Sequence, residues 1–301
     1  MAPDTGRDLV IALVAQNENQ ALMEVSQRFG PAWISRGYSH LVLDMNASNS
    51  AQQLKAMLSE GRVACAYGLA GLGGQFSLVD GTNLWTAARV PFAALWHDHP
   101  CYNYRQHIVD SPYVVHCYHV LDHLEARQKY LPPSSSRSVL LSLTGLMYPR
   151  SEVTPWARRE RTILFAKTAL NPAAWVEDWK RHPSHIQDIL WALVEKAKRD
   201  RNLDLADAAA VLFKMHEMMT NDLDLFMGVI QEVDSYMRGW RSDRLARALL
   251  PHPARIIGRG WEYLAAEPRK AEICPPIPAH EYMQQAMNYR ILANVNPFWR
   301  H

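Results

Sequence analysis

Nowhere does the chain hold an apolar run approaching the roughly 18 residues that a membrane-spanning helix needs. The first such run, Leu9 to Ala15, stops well short, and Asp4 and Asp8 flank Arg7 where a basic leader would stand. No transmembrane segment is therefore expected, and the location is expected to be cytoplasmic. An excess of one charge is lacking too. Lys and Arg number 32 against 30 Asp and Glu, a formal charge of +2 without a basic tail or acidic block. The long-range field that draws in a polyanion is absent, so nucleic acid is not an expected partner. Cysteine is scarce: Cys65, Cys101, Cys117 and Cys274 lie far apart, without the close pairs of a structural zinc site. They read as free thiols in a reducing compartment.

What is present is the composition of a folded protein, 48% apolar and 21% charged, in a chain of 301 residues that is long enough for two cores. The first half alternates short β-rich runs with amphipathic stretches. Runs at residues 9–15, 40–44, 62–67, 92–96, 114–118 and 139–143 predict strands. Leu22, Val25 and Phe29, then Leu54, Met57 and Leu58, recur at helical spacing between them. Buried strands alternating with helices predict an α/β fold whose parallel sheet is covered on both faces. Ligands of such sheets sit beyond the carboxyl ends of the strands.

Pro132 to Ser136 reads as a loop, and the polar, arginine-bearing crossing from Tyr148 to Arg161 predicts a boundary between residues 1–150 and 151–301. A strand is expected over 162–166. A helical segment follows over 172–250, opened by Asn171 as cap and Pro172 in the first turn. Within it the Met215, Met218 and Met219 cluster reads as core filling. Strand-like runs return at 254–257 and 290–295, with a helix over 279–288 between them. The second half is thus expected to be a helix-rich, Rossmann-like but incomplete domain. Its last strand needs a neighbour, from further sequence, a second copy of the chain or a completing partner chain.

Chemistry concentrates at few positions. His97-Asp98-His99-Pro100 follows the fourth predicted strand, where a histidine can take a proton near neutral pH and a carboxylate can orient it or bind hydroxyls. If the strand continued, residues 97 and 99 would point one way and Asp98 the other. His97 with His99, or His116 with His119, lacks a clear third ligand, so no metal site is expected. The glycine stretch Gly68 to Gly74 fits neither a dinucleotide fingerprint nor a Walker loop, and reads as either ligand-facing or purely conformational. In the arginine-bearing stretch that also holds Arg238, the pair Arg241 and Arg244 stands one turn apart and can grip phosphate oxygens; otherwise the stretch is a solvated helix face or pairs internally with Asp234 or Asp243. In Gly258-Arg259-Gly260-Trp261 the glycines permit a tight approach, Arg259 can meet a phosphate, and Trp261 reads as a core anchor.

Taken in order, several pieces resemble the CgeB-like, spore-maturation-type bacterial glycosyltransferases. They are Asp98-His99-Pro100, Ile163 to Ala166 with Asn171-Pro172, Val233 to Arg238, Ile256 to Trp261, and Ile291 to Pro297. The resemblance spans most of residues 60–300. It implies the two-Rossmann GT-B architecture, an acceptor domain followed by a domain for a nucleotide-sugar donor, and transfer to an unknown hydroxyl acceptor without metal or cofactor. It assigns the base role to His97 or Asp98, and donor contacts to Arg238, Arg259 and Asn296, with Gly258 and Gly260 shaping the loop. Relatives continue past the Asn-Val-Asn-Pro-like strand with an acidic helix that holds the nucleotide. The chain ends at His301, which leaves open a non-catalytic sugar- or partner-binding protein derived from that fold.

Overall fold

The computed structural model describes residues 6–15, 21–141, 153–200 and 202–295. The chain divides between Leu146 and Met147 into two units, each an α/β layer structure with a parallel sheet.

The first unit is a six-stranded sheet in the order β2-β1-β3-β4-β5-β6. Its strands are β1 (Leu9–Val14), β2 (Ser39–Asp44), β3 (Val63–Leu69), β4 (Phe92–Trp96), β5 (Val114–Tyr118) and β6 (Arg137–Leu140). All described pairings in it are parallel. Alternation of side chains along each strand divides the core in two. Val10 and Ala12 pack with Leu22, Val25, Phe29 and Trp33 of α1 (Ala21–Ile34) on one face. Ile11 and Leu13 pack on the other with Leu54 and Met57 of α2 (Ser50–Ser59), Trp85 of α3 (Leu84–Ala88) and Leu124 of α5 (Leu121–Tyr130). Between these last two helices lies the short α4 (Tyr104–His107). Coverage of both faces explains why β1 reads as an unbroken apolar run.

The second unit has a four-stranded sheet, β10-β7-β8-β9, again parallel. Its strands are β7 (Glu160–Ala166), β8 (Ala254–Ile257), β9 (Glu272–Cys274) and β10 (Tyr289–Ala293). Between β7 and β8 run α6 (Pro172–Trp179), α7 (Ser184–Arg199), α8 (Leu205–Met215) and α9 (Leu223–Leu249), and α10 (Ala279–Ala286) leads into β10. Asn171, Asp204 and Asp222 each accept a backbone N–H at the start of α6, α8 and α9, satisfying donors that a helix start leaves open. Helix α9 is buried along much of its girth, through Phe226, Met227, Ile230, Val233 and Met237. Its end, Ala246 and Leu249, meets Phe165 and Ile256 on one face of the sheet. On the opposite face Leu164 and Ile257 pack with Tyr282 and Ala286 of α10.

Two local readings change. The methionine cluster is not core: Met215 is 71% and Met219 66% exposed. Helix α8 ends at Met215, and Glu217 takes a left-handed φ of 55° that turns the chain outward. After Trp96 the strand does not continue either. The chain bends into a single 3-10 turn, Pro100–Tyr102, and His99 becomes its cap, its Nδ1 accepting the Cys101 N–H at 3.2 Å. His97 and His99 therefore part ways: His99 is buried, while His97 and Asp98 are exposed.

Candidate functional site

In the first unit the strand order reverses between β1 and β3, the position where open α/β sheets place ligands. The loop after β3 fills that end of the sheet with its own atoms. Gly71 adopts φ 69°, and a Cβ there would overlap the Trp96 ring. The Gly73 carbonyl accepts the Trp85 indole N–H at 2.7 Å, and the Gly74 carbonyl accepts the Asn83 side-chain N–H at 2.8 Å. Gly71, Gly73 and Gly74 are buried. These contacts give the stretch a conformational role.

Next to it, the carboxyl ends of β4 and β5 carry histidines. His107 stacks on Trp96 with ring centroids 3.7 Å apart and shares a 2.7 Å hydrogen bond with the Tyr118 hydroxyl. His116 Nδ1 accepts the Trp96 indole N–H at 3.0 Å. Both rings are buried. Burial, reinforced by one another and by the buried Arg127, holds His107 well below the ordinary imidazole range. Burial, with Arg127, brings His116 down to about 4. They are neutral core groups in the physiological range. At the surface of the same edge, His97 lies against His119, ring centroids 4.7 Å apart. Surrounding protein and then His119 lower the His97 pKa, and Asp98 opposes the shift. His97 is thus brought together with His119, not with His99, whose ring meets that of His123 at 5.3 Å.

In the second unit the reversal falls between β7 and β10. Lys167 is the first residue past β7. The segment Lys167 to Leu170 is drawn against β8 and α9 by the absence of three side chains. A Cβ on Gly258, at φ 148°, would overlap the Lys167 carbonyl oxygen, and one on Gly239 would press on the Leu170 carbonyl. At Gly260, φ 80°, a Cβ would meet that of Ala169 at 3.2 Å. The Trp261 indole N–H donates to the Lys167 carbonyl at 2.6 Å, with the ring 1% exposed, which is the anchoring role expected for it.

The approach holds the Lys167 side chain near Arg238 and Asp234. Asp234 is wholly buried, and its Oδ2 lies 2.7 Å from Arg238 Nε. Lys167 is half-buried; desolvation and then Arg238 lower its pKa, while Asp234 acts in the opposite sense. Arg238 thus pairs with a buried carboxylate at the carboxyl edge of the sheet, and Lys167 lies within electrostatic reach of both. Arg259 is exposed on the neighbouring loop. Arg244 instead lies over the Trp240 ring at 4.7 Å. Asn296 lies outside the described residues. Sequence reasoning missed Lys167, although its place directly after an apolar strand run was a readable signal.

No protein-family model matches the chain, and no curated protein matches it. Among solved structures, one described as a LacI-family transcription regulation repressor from Corynebacterium glutamicum shares 16% identity. That alignment covers 93% of this chain and 87% of the other, with a TM-score of 0.27. At that score the likeness carries no argument. The site must speak through its own chemistry. Among the described residues no helix is long and apolar enough to cross a membrane.

Proposed function

We propose that the chain is a binding protein derived from a glycosyltransferase-like fold, and that it takes a phosphate-bearing sugar compound of the nucleotide-sugar class at the carboxyl edge of β7. The observation that carries this reading is the Lys167, Arg238 and Asp234 group, in which two cations face one buried carboxylate. A phosphate would add negative charge beside the two cations and relieve the repulsion between them. Guanidinium and ammonium groups both suit its oxygens. The resemblance of Val233 to Arg238 and of Ile256 to Trp261 to donor-side motifs supports the same ligand class.

Binding is put before catalysis because it needs only groups that stand together within one unit. Transfer would also need a base and an acceptor. The observation favouring that second reading is His97, exposed beyond β4 and with a lowered pKa, hence able to accept a hydroxyl proton.

Calorimetric titration with a nucleoside diphosphate and a panel of nucleotide sugars tests the binding reading. Saturable binding is expected, weakened at least about tenfold by Lys167→Ala and by Arg238→Ala, as befits loss of a charge-assisted contact. Unchanged affinity in both variants would sink it. Release of nucleoside diphosphate with appearance of a glycosylated product, abolished by His97→Ala, would instead establish the transferase reading.

A further inference from the structure

We propose that His97 and His119 form a binding site for a divalent transition-metal ion of the copper, nickel and zinc class, at the carboxyl edge of β4 and β5. The register of the two strands sets the pair. Trp96 lies opposite Tyr118 at the end of the ladder, so the next residue of each chain leaves the sheet beside the other. The imidazoles approach with centroids 4.7 Å apart and planes inclined by 41°.

The tautomer of His119 is fixed by its neighbour. Its Nδ1 lies 2.8 Å from the Leu141 carbonyl oxygen. A carbonyl only accepts, so Nδ1 carries the proton and Nε2 presents a lone pair. That Nε2 is shut off from solvent and has no hydrogen-bond partner among the described residues, an arrangement that costs free energy while it lasts. A histidine whose one nitrogen donates to a backbone carbonyl and whose ring lies against a second imidazole has the outer-shell support typical of metal ligands. His97 is exposed, and in the proposed site its side chain turns to bring a second nitrogen to the ion.

Imidazole donors select copper, nickel and zinc over magnesium and calcium, which prefer oxygen. Among the described residues, no group of three metal-ligating side chains includes either histidine. The remaining coordination positions therefore belong to water or to an arriving ligand, and the ion is exchangeable rather than structural. His99 is not part of the set: its Nδ1 caps the 3-10 turn by accepting the Cys101 N–H, and its ring lies against His123.

The test is titration of untagged, metal-free protein with Cu²⁺, Zn²⁺ and Mg²⁺ near pH 7.5, alongside His97→Ala, His119→Ala and the control His252→Ala. The expected result is one saturable Cu²⁺ and Zn²⁺ site, weakened at least about tenfold by loss of either His97 or His119 and unchanged in His252→Ala, with Mg²⁺ silent. Electron paramagnetic resonance of the Cu²⁺ form should show two equatorial nitrogens, reduced to one in His97→Ala, a surface change that leaves the fold in place. Wild-type affinity in His97→Ala, or a single nitrogen in the wild-type spectrum, would overturn the proposal.

Discussion

The two units carry opposite chemistries on the same kind of scaffold. At the carboxyl edge of the first, imidazoles are packed among Trp96 and Tyr118 and kept neutral. At that of the second, partly buried Lys167 and Arg238 lie beside the wholly buried Asp234. In both, glycines let a loop lie against a neighbouring element. In the first unit the loop after β3 packs its glycines against Trp96, Leu13 and Phe92 of the neighbouring strands. In the second, Gly258 and Gly260 tuck the chain after β7 inward, and the side chain of Lys167 comes to lie among charged groups. The difference shows that a glycine-rich turn after a parallel strand does not by itself mark a ligand site. What its carbonyls and neighbours are already bonded to decides.

The sharpest way to break this comparison is to fill the two glycine approaches. Gly71→Ala and Gly258→Ala each combine a left-handed or otherwise glycine-favouring φ with a collision, against an indole and a backbone carbonyl respectively. Each should cost about 4 kcal/mol, seen as a large fall in urea midpoint. If only Gly258→Ala also abolished phosphate-ligand binding, the assignment of packing to one loop and site-building to the other would be sharpened.

The next effect is acid lability confined to the first unit. His116 is neutral in the fold, with a pKa of about 4 against 6.5 for an ordinary imidazole. The unfolded chain therefore takes up protons that the folded one refuses, and stability present in full above pH 6.5 is lost as the pH falls toward 4. For His116 alone the loss at pH 4 is about 3 kcal/mol, and His107 adds to it in the same direction. Urea midpoints measured across this range should fall steeply, and less steeply in His116→Gln, which keeps an acceptor for Trp96.

In the second unit, Asp234→Ala should cost about 2 kcal/mol, less than a fully buried pair, because Arg238 retains contact with water. The change leaves two cations facing each other and should slow dissociation of a bound diphosphate even as the apo protein weakens. Least is expected of Arg244→Ala, which removes a cation resting on Trp240 and should change stability by less than about 1 kcal/mol.

Much of this was legible in the sequence. The strands at Phe92–Trp96, Val114–Tyr118 and Ala254–Ile257 follow from short apolar runs bounded by polar or glycine residues, because both faces of a parallel sheet are buried. Strand β9, only Glu272–Cys274, was missed, since three residues carry no periodicity. Helix α9 lies within the helical segment expected over 172–250. Its burial on several sides erases the one-sided pattern that marks a surface helix. At the sites, the sequence motifs pointed to His97 and to Arg238 with Asp234, but not to the approach of His119 to His97 or of Lys167 to Arg238. His119 lies 22 residues from His97 and Lys167 is 71 residues from Arg238, and only strand register and loop packing bring such pairs together.

The central claim, that the charged edge of the second unit and not the histidine edge of the first is the phosphate-ligand site, is tested most directly by following backbone amide resonances during titration with a nucleoside diphosphate. Saturable shifts concentrated at residues 167–171, 234–241 and 258–261 are predicted. Shifts centred instead on 97–99 and 116–119, or no saturable change anywhere, would contradict it.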